Sequence, residues 1–173
     1  MKRRILFFAV VMLALCLLAQ AVSLADPSDY ADYVESLVKK WDPDATRDSL
    51  IALYGAPLYD ADTYVSFWDQ GLATLRTYYF SEGLLTSVTV RYGRFTLEYW
   101  NSAYSMYASA RDRVSEILGD RLGVLSFYNG DERAAADVDC LVSSWNNNGM
   151  HVLMAYNQTA THVSVETVIS SVK

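Results

Sequence analysis

Apolar and polar positions along this chain follow a pattern that occurs twice: a short amphipathic helix, then an antiparallel run of strands. The first copy has a helical stretch from Thr46-Arg47-Asp48-Ser49-Leu50 to Gly55-Ala56-Pro57, followed by alternating segments over 64–68, 72–80 and 84–92. The second has a helix ending at Ile117-Leu118-Gly119, followed by 141–145, 150–157 and 161–168. An offset of 77 lays Trp68 on Trp145 and Tyr79 on Tyr156. Duplication of a helix-plus-meander unit predicts an α+β fold in which tandem repeats pack their helices on one face of a continuous antiparallel sheet. The implied organisation is a leader over 1–25, a first repeat over 26–93 and a second over 94–173, forming one compact two-lobed domain.

Local signals refine this picture. Ser28 can cap a helix whose apolar positions Tyr30, Tyr33, Val34, Leu37, Val38 and Trp41 recur at helical spacing. Asp42-Pro43-Asp44 breaks it, and Thr46 is placed to cap the next helix, which Gly55 and Pro57 close. The stretch 95–119 contains the longest helix, with Trp100, Ala103, Tyr104, Tyr107, Ala110 and Val114 on one stripe. Residues 120–137 have no counterpart in the first copy and read as an inserted hairpin or loop, with a turn at Asn129-Gly130-Asp131.

Turn chemistry predicts a strand register. Glu82-Gly83 suits a two-residue turn that pairs Ser81 with Leu84 and Tyr79 with Thr86. Asp69-Gln70-Gly71 suits a three-residue loop with Gly71 left-handed, pairing Trp68 with Leu72 and Val65 with Leu75, and Asn146-Asn147-Asn148 replaces it in the second copy. These pairings put Val65, Phe67, Leu75, Tyr79, Val88 and Val90 on the helix-covered face. Tyr64, Ser66, Trp68, Arg76, Tyr78, Ser87, Thr89 and Arg91 fall on the outer one. In the second copy Cys140, Val142, Met150, Val152, Met154, Tyr156, Val163 and Val165 form the expected core face. Ser143, Trp145, His151, Leu153, His162, Ser164 and Glu166 form the outer one.

Lys2-Arg3-Arg4, the apolar run over 5–18 and the small residues of Ser23-Leu24-Ala25 read as a secretory leader cleaved near Ala25, which places the mature protein outside the cytoplasm, secreted or in the cell envelope. Leu15 before Cys16 is too large for a lipid-attachment site. Of the 173 residues, 148 remain after the 25 of the leader, with no apolar stretch long enough to span a membrane. The leader takes three basic residues with it, so the formal charge moves from −6 to −9, which argues against nucleic acid and anionic lipid as partners. Cys140 is then the one cysteine left, and its apolar neighbours Val138, Leu141 and Val142 favour a buried small hydrophobe over a nucleophile.

No constellation for catalysis emerges. His151 and His162 lie rungs apart with no Cys or carboxylate cluster to complete a metal site, no Gly-x-Ser-x-Gly elbow occurs, and the loop acids Asp42, Asp44, Asp60 and Asp62 lack calcium-loop spacing. Asn157-Gln158-Thr159 is a glycosylation sequon in hosts that glycosylate. A cofactor is not expected. What stands out is aromatic surface: the chain has 13 tyrosines, and an outer sheet face carrying Trp, Tyr and Arg suits contact with another protein. Tyr64, Trp68, Asp69, Arg76, Tyr78, Trp145 and His151 are the partner-binding candidates.

Thr46-Arg47-Asp48-Ser49-Leu50, Leu53-Tyr54-Gly55-Ala56-Pro57, a Trp-containing strand and Tyr79-Phe80-Ser81-Glu82-Gly83-Leu84-Leu85 together resemble the pattern of the small outer-membrane lipoproteins of the SmpA/OmlA family. The tandem arrangement is similar to that of the beta-lactamase inhibitory proteins, which duplicate the same unit. The resemblance covers most of 44–92 and, more faintly, 110–168. It implies helix pairs on one face of the sheet and a concave face left for a protein partner, with contacts at Trp68, Asp69, Tyr78 and Trp145. The inhibitors' repeats carry disulfides that a single cysteine cannot form, so the resemblance points to shared architecture more than to a shared target. The function expected from these features is a secreted, non-catalytic protein-binding module, with enzyme inhibition as one form of it. Two alternatives stand beside it: a small-ligand carrier or enzyme with a pocket between the layers, lined by Tyr and Met, and an envelope-assembly role.

Overall fold

Three helices and eight strands emerge in a computed structural model, which describes residues 26–119, 123–128 and 138–171. The expected leader, Cys16 and the Asn129-Gly130-Asp131 turn lie outside these residues. Helix α1 (Pro27–Lys39) is capped two residues earlier than Ser28 suggests: the Asp26 carboxylate accepts the Ser28 backbone N–H at 2.8 Å, and Pro27 fills the first helical position, where no N–H is needed. Helix α2 (Arg47–Tyr54) begins with the expected Thr46 cap, reciprocated by Ser49. The longest helix, α3, is Trp100–Leu118; residues 95–96 still belong to a strand, and a 3-10 turn, Leu97–Tyr99, joins the two.

The strands are β1 (Tyr59–Ala61), β2 (Tyr64–Asp69), β3 (Thr74–Ser81), β4 (Leu84–Thr96), β5 (Gly123–Tyr128), β6 (Val138–Asn147), β7 (Met150–Gln158) and β8 (His162–Ser171). They form one antiparallel sheet in the order β1-β2-β3-β4-β8-β7-β6-β5. Each half is a four-stranded meander, and the halves meet where β4 pairs with β8. All three helices lie on one side. Tyr30 of α1 packs its ring tilted against Tyr92, centroids 5.5 Å apart, and shares a hydrogen bond of 3.3 Å with Thr167, so α1 sits over the seam; α2 covers the first half through Tyr54 and α3 the second through Tyr107. Arg113 of α3 pairs with Asp32 and Glu35 of α1 at 3.6 and 3.8 Å.

One strand, β1, was not expected, and a second, β5, bears out the hairpin alternative for 120–137. β1 follows Pro57 too briefly for alternation to register, and β5 lies in 120–137, where an insertion was anticipated; both are outer strands of their meanders. Register departs from expectation at the loops. Asp69 pairs with Thr74, so the β2–β3 loop has four residues, its left-handed position is Ala73 (φ 49) instead of Gly71, and Val65 stands opposite Tyr78, not Leu75. In the second half the turn is Asn148-Gly149 (φ 51 and 78), a match to Glu82-Gly83 (φ 54 and 79), and the three-residue Asn loop is not formed. Ser81 does pair with Leu84, but a bulge at Thr86 puts Tyr79 opposite Ser87.

An odd slip in register turns a strand over. Arg76 and Tyr78 therefore face the helices while Leu75 and Tyr79 face outward, the reverse of the expected assignment. The bulge at Thr86 turns β4 back, which is why Val88 and Val90 are buried on the helix side as expected. The same kind of slip in β6 moves Ser143 and Trp145 inward and leaves Cys140 and Val142, expected in the core, on the outer face and half-buried. Trp145 is 1% exposed, with its indole N–H donated to Ser115 Oγ at 3.3 Å. Trp145→Ala is therefore expected to cost about 3–5 kcal/mol in chemical denaturation, whereas Trp68→Ala, at a site 51% exposed, should change stability by less than about 0.5 kcal/mol.

Candidate functional site

The seven residues proposed from sequence separate into two groups. Tyr64, Trp68 and His151 lie on the outer sheet face, and Asp69 sits at the β2–β3 loop with its Oδ1 accepting the Leu72 N–H at 3.1 Å. Arg76, Tyr78 and Trp145 lie on the helix side and are buried, so they cannot take part in an outer-face contact. His151 pairs with Ser170 in the second half, away from the aromatic residues of the first.

The outer face of the first half forms a shallow dimple. Ser66 and Thr77 stand opposite each other on β2 and β3, both buried, and their hydroxyls share a hydrogen bond of 2.9 Å. Tyr64 and Tyr79 flank this floor on one side, with ring centroids 6.3 Å apart, and Trp68 with its partner Leu75 flanks it on the other. Tyr59, opposite Ser66 on β1, closes the third side and is 55% exposed. Beyond Tyr79, which is 41% exposed, Leu84 extends the apolar surface. Asp62 and Glu82 occupy the two turns at the Tyr64–Tyr79 end of these strands and give the dimple an acidic rim there. Tyr59 and Tyr79 escaped the sequence reading because the first lies in an unrecognised strand and the second was turned inward by the loop count.

A second feature lies on the opposite side of the same strands. A cleft of about 620 Å³ opens between α1, α2 and the sheet, lined by Tyr33, Leu37, Trp41, Leu50, Leu53, Tyr54, Arg76 and Tyr78, with Lys40, Asp42 and Asp69 among its polar residues. Arg76 is only 7% exposed. Its guanidinium carbon lies 3.7 Å from the centroid of Tyr54 and 5.6 to 5.8 Å from those of Tyr33, Tyr78 and Phe67. Tyr78 donates to the Tyr54 oxygen at 3.3 Å, which fixes two walls of this enclosure. No carboxylate among the described residues comes within ion-pair distance of Arg76, and its Nε has no hydrogen-bond partner. Such ring contacts return about 2 kcal/mol, less than the several that removing a cation from water costs.

Two more buried polar atoms without partners lie beside it, the Tyr33 hydroxyl and Thr74 Oγ1, which approach each other without reaching hydrogen-bond geometry. Burial pushes the Tyr33 phenol up to about 12, against the lowering influence of Arg76, so it stays a protonated donor at neutral pH. Burial likewise raises Tyr78 far above the ordinary phenol range. Arg76 and Tyr78 thus belong to the cleft and not to the outer face, and Tyr33, Trp41 and Tyr54, whose spacing predicts a helix core, line it with them.

Among the described residues no helix is long and apolar enough to cross a membrane, and no group of three or more His, Cys, Asp or Glu could hold a metal ion. No family model matches the chain, and no curated protein does. Among solved structures, a DUF4309 family protein (YjgB) from Bacillus subtilis subsp. subtilis str. 168 is similar at a TM-score of 0.47 and 10% identity, over 83% of this chain and 96% of that one.

The orphaned hydroxyls make a test of the cleft without any ligand. A buried donor with no partner bears its desolvation cost unrelieved, so Tyr33→Phe and Thr74→Val are each expected to leave stability unchanged or raise it by up to about 1 kcal/mol. A loss of more than about 1 kcal/mol on chemical denaturation would show that these groups are satisfied after all. Alkaline titration gives a second check. The folded phenols of Tyr33 and Tyr156 hold their protons to about 12 against an ordinary 10.0, so the folded state binds more protons in that window and stability should fall as pH rises through it. Tyrosinate absorbance should lag accordingly until the protein unfolds.

Proposed function

We propose that this chain is an extracytoplasmic, non-catalytic binding protein that captures another protein on the outer face of its first half-sheet. The observation that carries the reading is the dimple: four aromatic rings and two leucines gathered around a buried Ser66–Thr77 floor, on a face that no described helix covers. Exposed rings of this kind bury large areas on contact at small entropic cost, and contiguous exposure of several is uncommon on a protein that works alone. The acidic rim of Asp62 and Glu82 favours a partner with an apolar centre and a basic border.

Support for inhibition by an Asp69 carboxylate is weaker, because that side chain already holds the Leu72 amide and closes its own loop. The location rests on the basic, apolar and small-residue pattern of the first 25 residues. An envelope-assembly role would use the same face with a partner fixed to the membrane.

The test is quantitative capture from the secreted and envelope proteins of the native source. A triple variant, Tyr59→Ala, Trp68→Ala and Tyr79→Ala, is expected to bind the captured protein at least about tenfold more weakly, with a melting temperature within about 3 °C of the parent. Capture that survives the triple variant would remove the outer face as the binding surface. A partner whose contact surface is acidic would contradict the rim argument.

A further inference from the structure

We propose that the cleft between the helices and the first half-sheet binds a small amphiphile with a single oxyanion headgroup, seated against Arg76 and the Tyr33 hydroxyl with its tail along Leu37, Trp41, Leu50 and Leu53. Arg76 cannot shed its charge, and the rings around it compensate only part of the cost of burial. Arg76 and Tyr33 both line the cleft, the unpartnered Arg76 Nε and the Tyr33 hydroxyl are unused hydrogen-bonding groups, and Thr74 Oγ1 beside Tyr33 is a third; all three can donate. A neutral ligand would leave the guanidinium uncompensated and a cation would add repulsion. An oxyanion supplies the missing charge and the missing acceptors together.

The rest of the lining narrows the class. Lys40 adds a second cation, while Asp42 and Asp69 present carboxylates, each with one oxygen occupied by a backbone N–H, from Asp44 at 3.0 Å and from Leu72 at 3.1 Å. Two fixed carboxylates disfavour a polyanion such as a diphosphate and leave room for one small headgroup. The volume and the mainly apolar lining are those of a site for one small ligand with a sizeable apolar part. A carboxylate and a phosphate monoester share the required chemistry.

Calorimetric titration of the whole protein with decanoate, decyl phosphate, decanol and decyltrimethylammonium separates these cases. Saturable binding is expected for decanoate or decyl phosphate, the tighter of the two identifying the headgroup, with decanol at least about tenfold weaker and the ammonium weaker still. Arg76→Met keeps the stem and removes the charge; it should bring decanoate down to the affinity of decanol and leave decanol unaffected. Tyr33→Phe should weaken the anion severalfold and spare the alcohol, and it serves the same purpose if Arg76→Met does not fold. Trp68→Ala, on the opposite face, should change neither, which keeps this proposal separate from the protein-capture reading. Decanol binding as tightly as decanoate, an unaltered anion affinity in Arg76→Met or Tyr33→Phe, or no saturation by either anion below its micelle concentration would overturn it.

Discussion

The pairing of β4 with β8 is the constraint on which the rest of the molecule depends. Two meanders joined edge to edge in this way make one sheet of eight strands, and a sheet that long can be stable with helices on one side only if that side supplies a continuous core. Tyr30 shows how the join is secured. Its ring rests on Tyr92 of β4 while its hydroxyl reaches Thr167 of β8, so a single α1 side chain spans both strands of the seam. Because α1 is committed there, α2 and α3 are left to cover the flanks, and no described helix lies on the opposite face.

The two flanks satisfy their buried polar groups very differently. Under α3, Tyr107 meets Ser143 at 2.7 Å, Trp145 meets Ser115, and Tyr156 meets Gln158 at 2.6 Å. Under α1 and α2, Tyr33, Thr74 and Arg76 carry polar atoms with no partner, and the one other buried orphan among the described residues is Ser171 at the end of β8. α2 is also the shorter cover, eight residues against the 19 of α3, and it is anchored at its start by the pairing of Arg47 with Asp60. One half of the repeat is thus packed as a core and the other as a partly filled enclosure. That asymmetry, more than any residue type, is what distinguishes the two halves of this protein.

Much of the architecture was legible in the sequence because periodicity reports it directly. The duplicated helix-plus-meander order, the Thr46 cap, the Glu82-Gly83 turn and the inward Val88 and Val90 all follow from local pattern. The candidate site was less legible for one physical reason. Strand faces alternate with every residue, so a loop counted as three residues instead of four turned β3 over and exchanged Arg76 and Tyr78 for Leu75 and Tyr79. Nothing in Asp69-Gln70-Gly71-Leu72-Ala73 announces that Ala73 adopts the left-handed conformation ahead of a glycine two residues earlier. The Asn148-Gly149 turn is the preferred two-residue hairpin, but each residue of Asn146-Asn147-Asn148 tolerates the left-handed conformation, so the run alone does not say which of them turns. Tyr33 and Tyr54 satisfy a helical stripe whether they fill a core or line a cleft, and sequence alone does not separate those cases.

The ends of the sheet differ in a way that bears on self-association. At one end β1 is three residues long, and the Arg47–Asp60 pair ties its middle residue to α2, so it offers little backbone for another chain to copy. At the other end β5 is six residues long, and no described strand pairs beyond it. Among the described residues the longer run of main-chain donors and acceptors without a neighbouring strand therefore lies at β5, the end of the sheet farthest from both the aromatic dimple and the cleft. Strand-to-strand growth into a polymer needs two receptive edges, and a sheet with one receptive edge and one blunt edge stops at a pair.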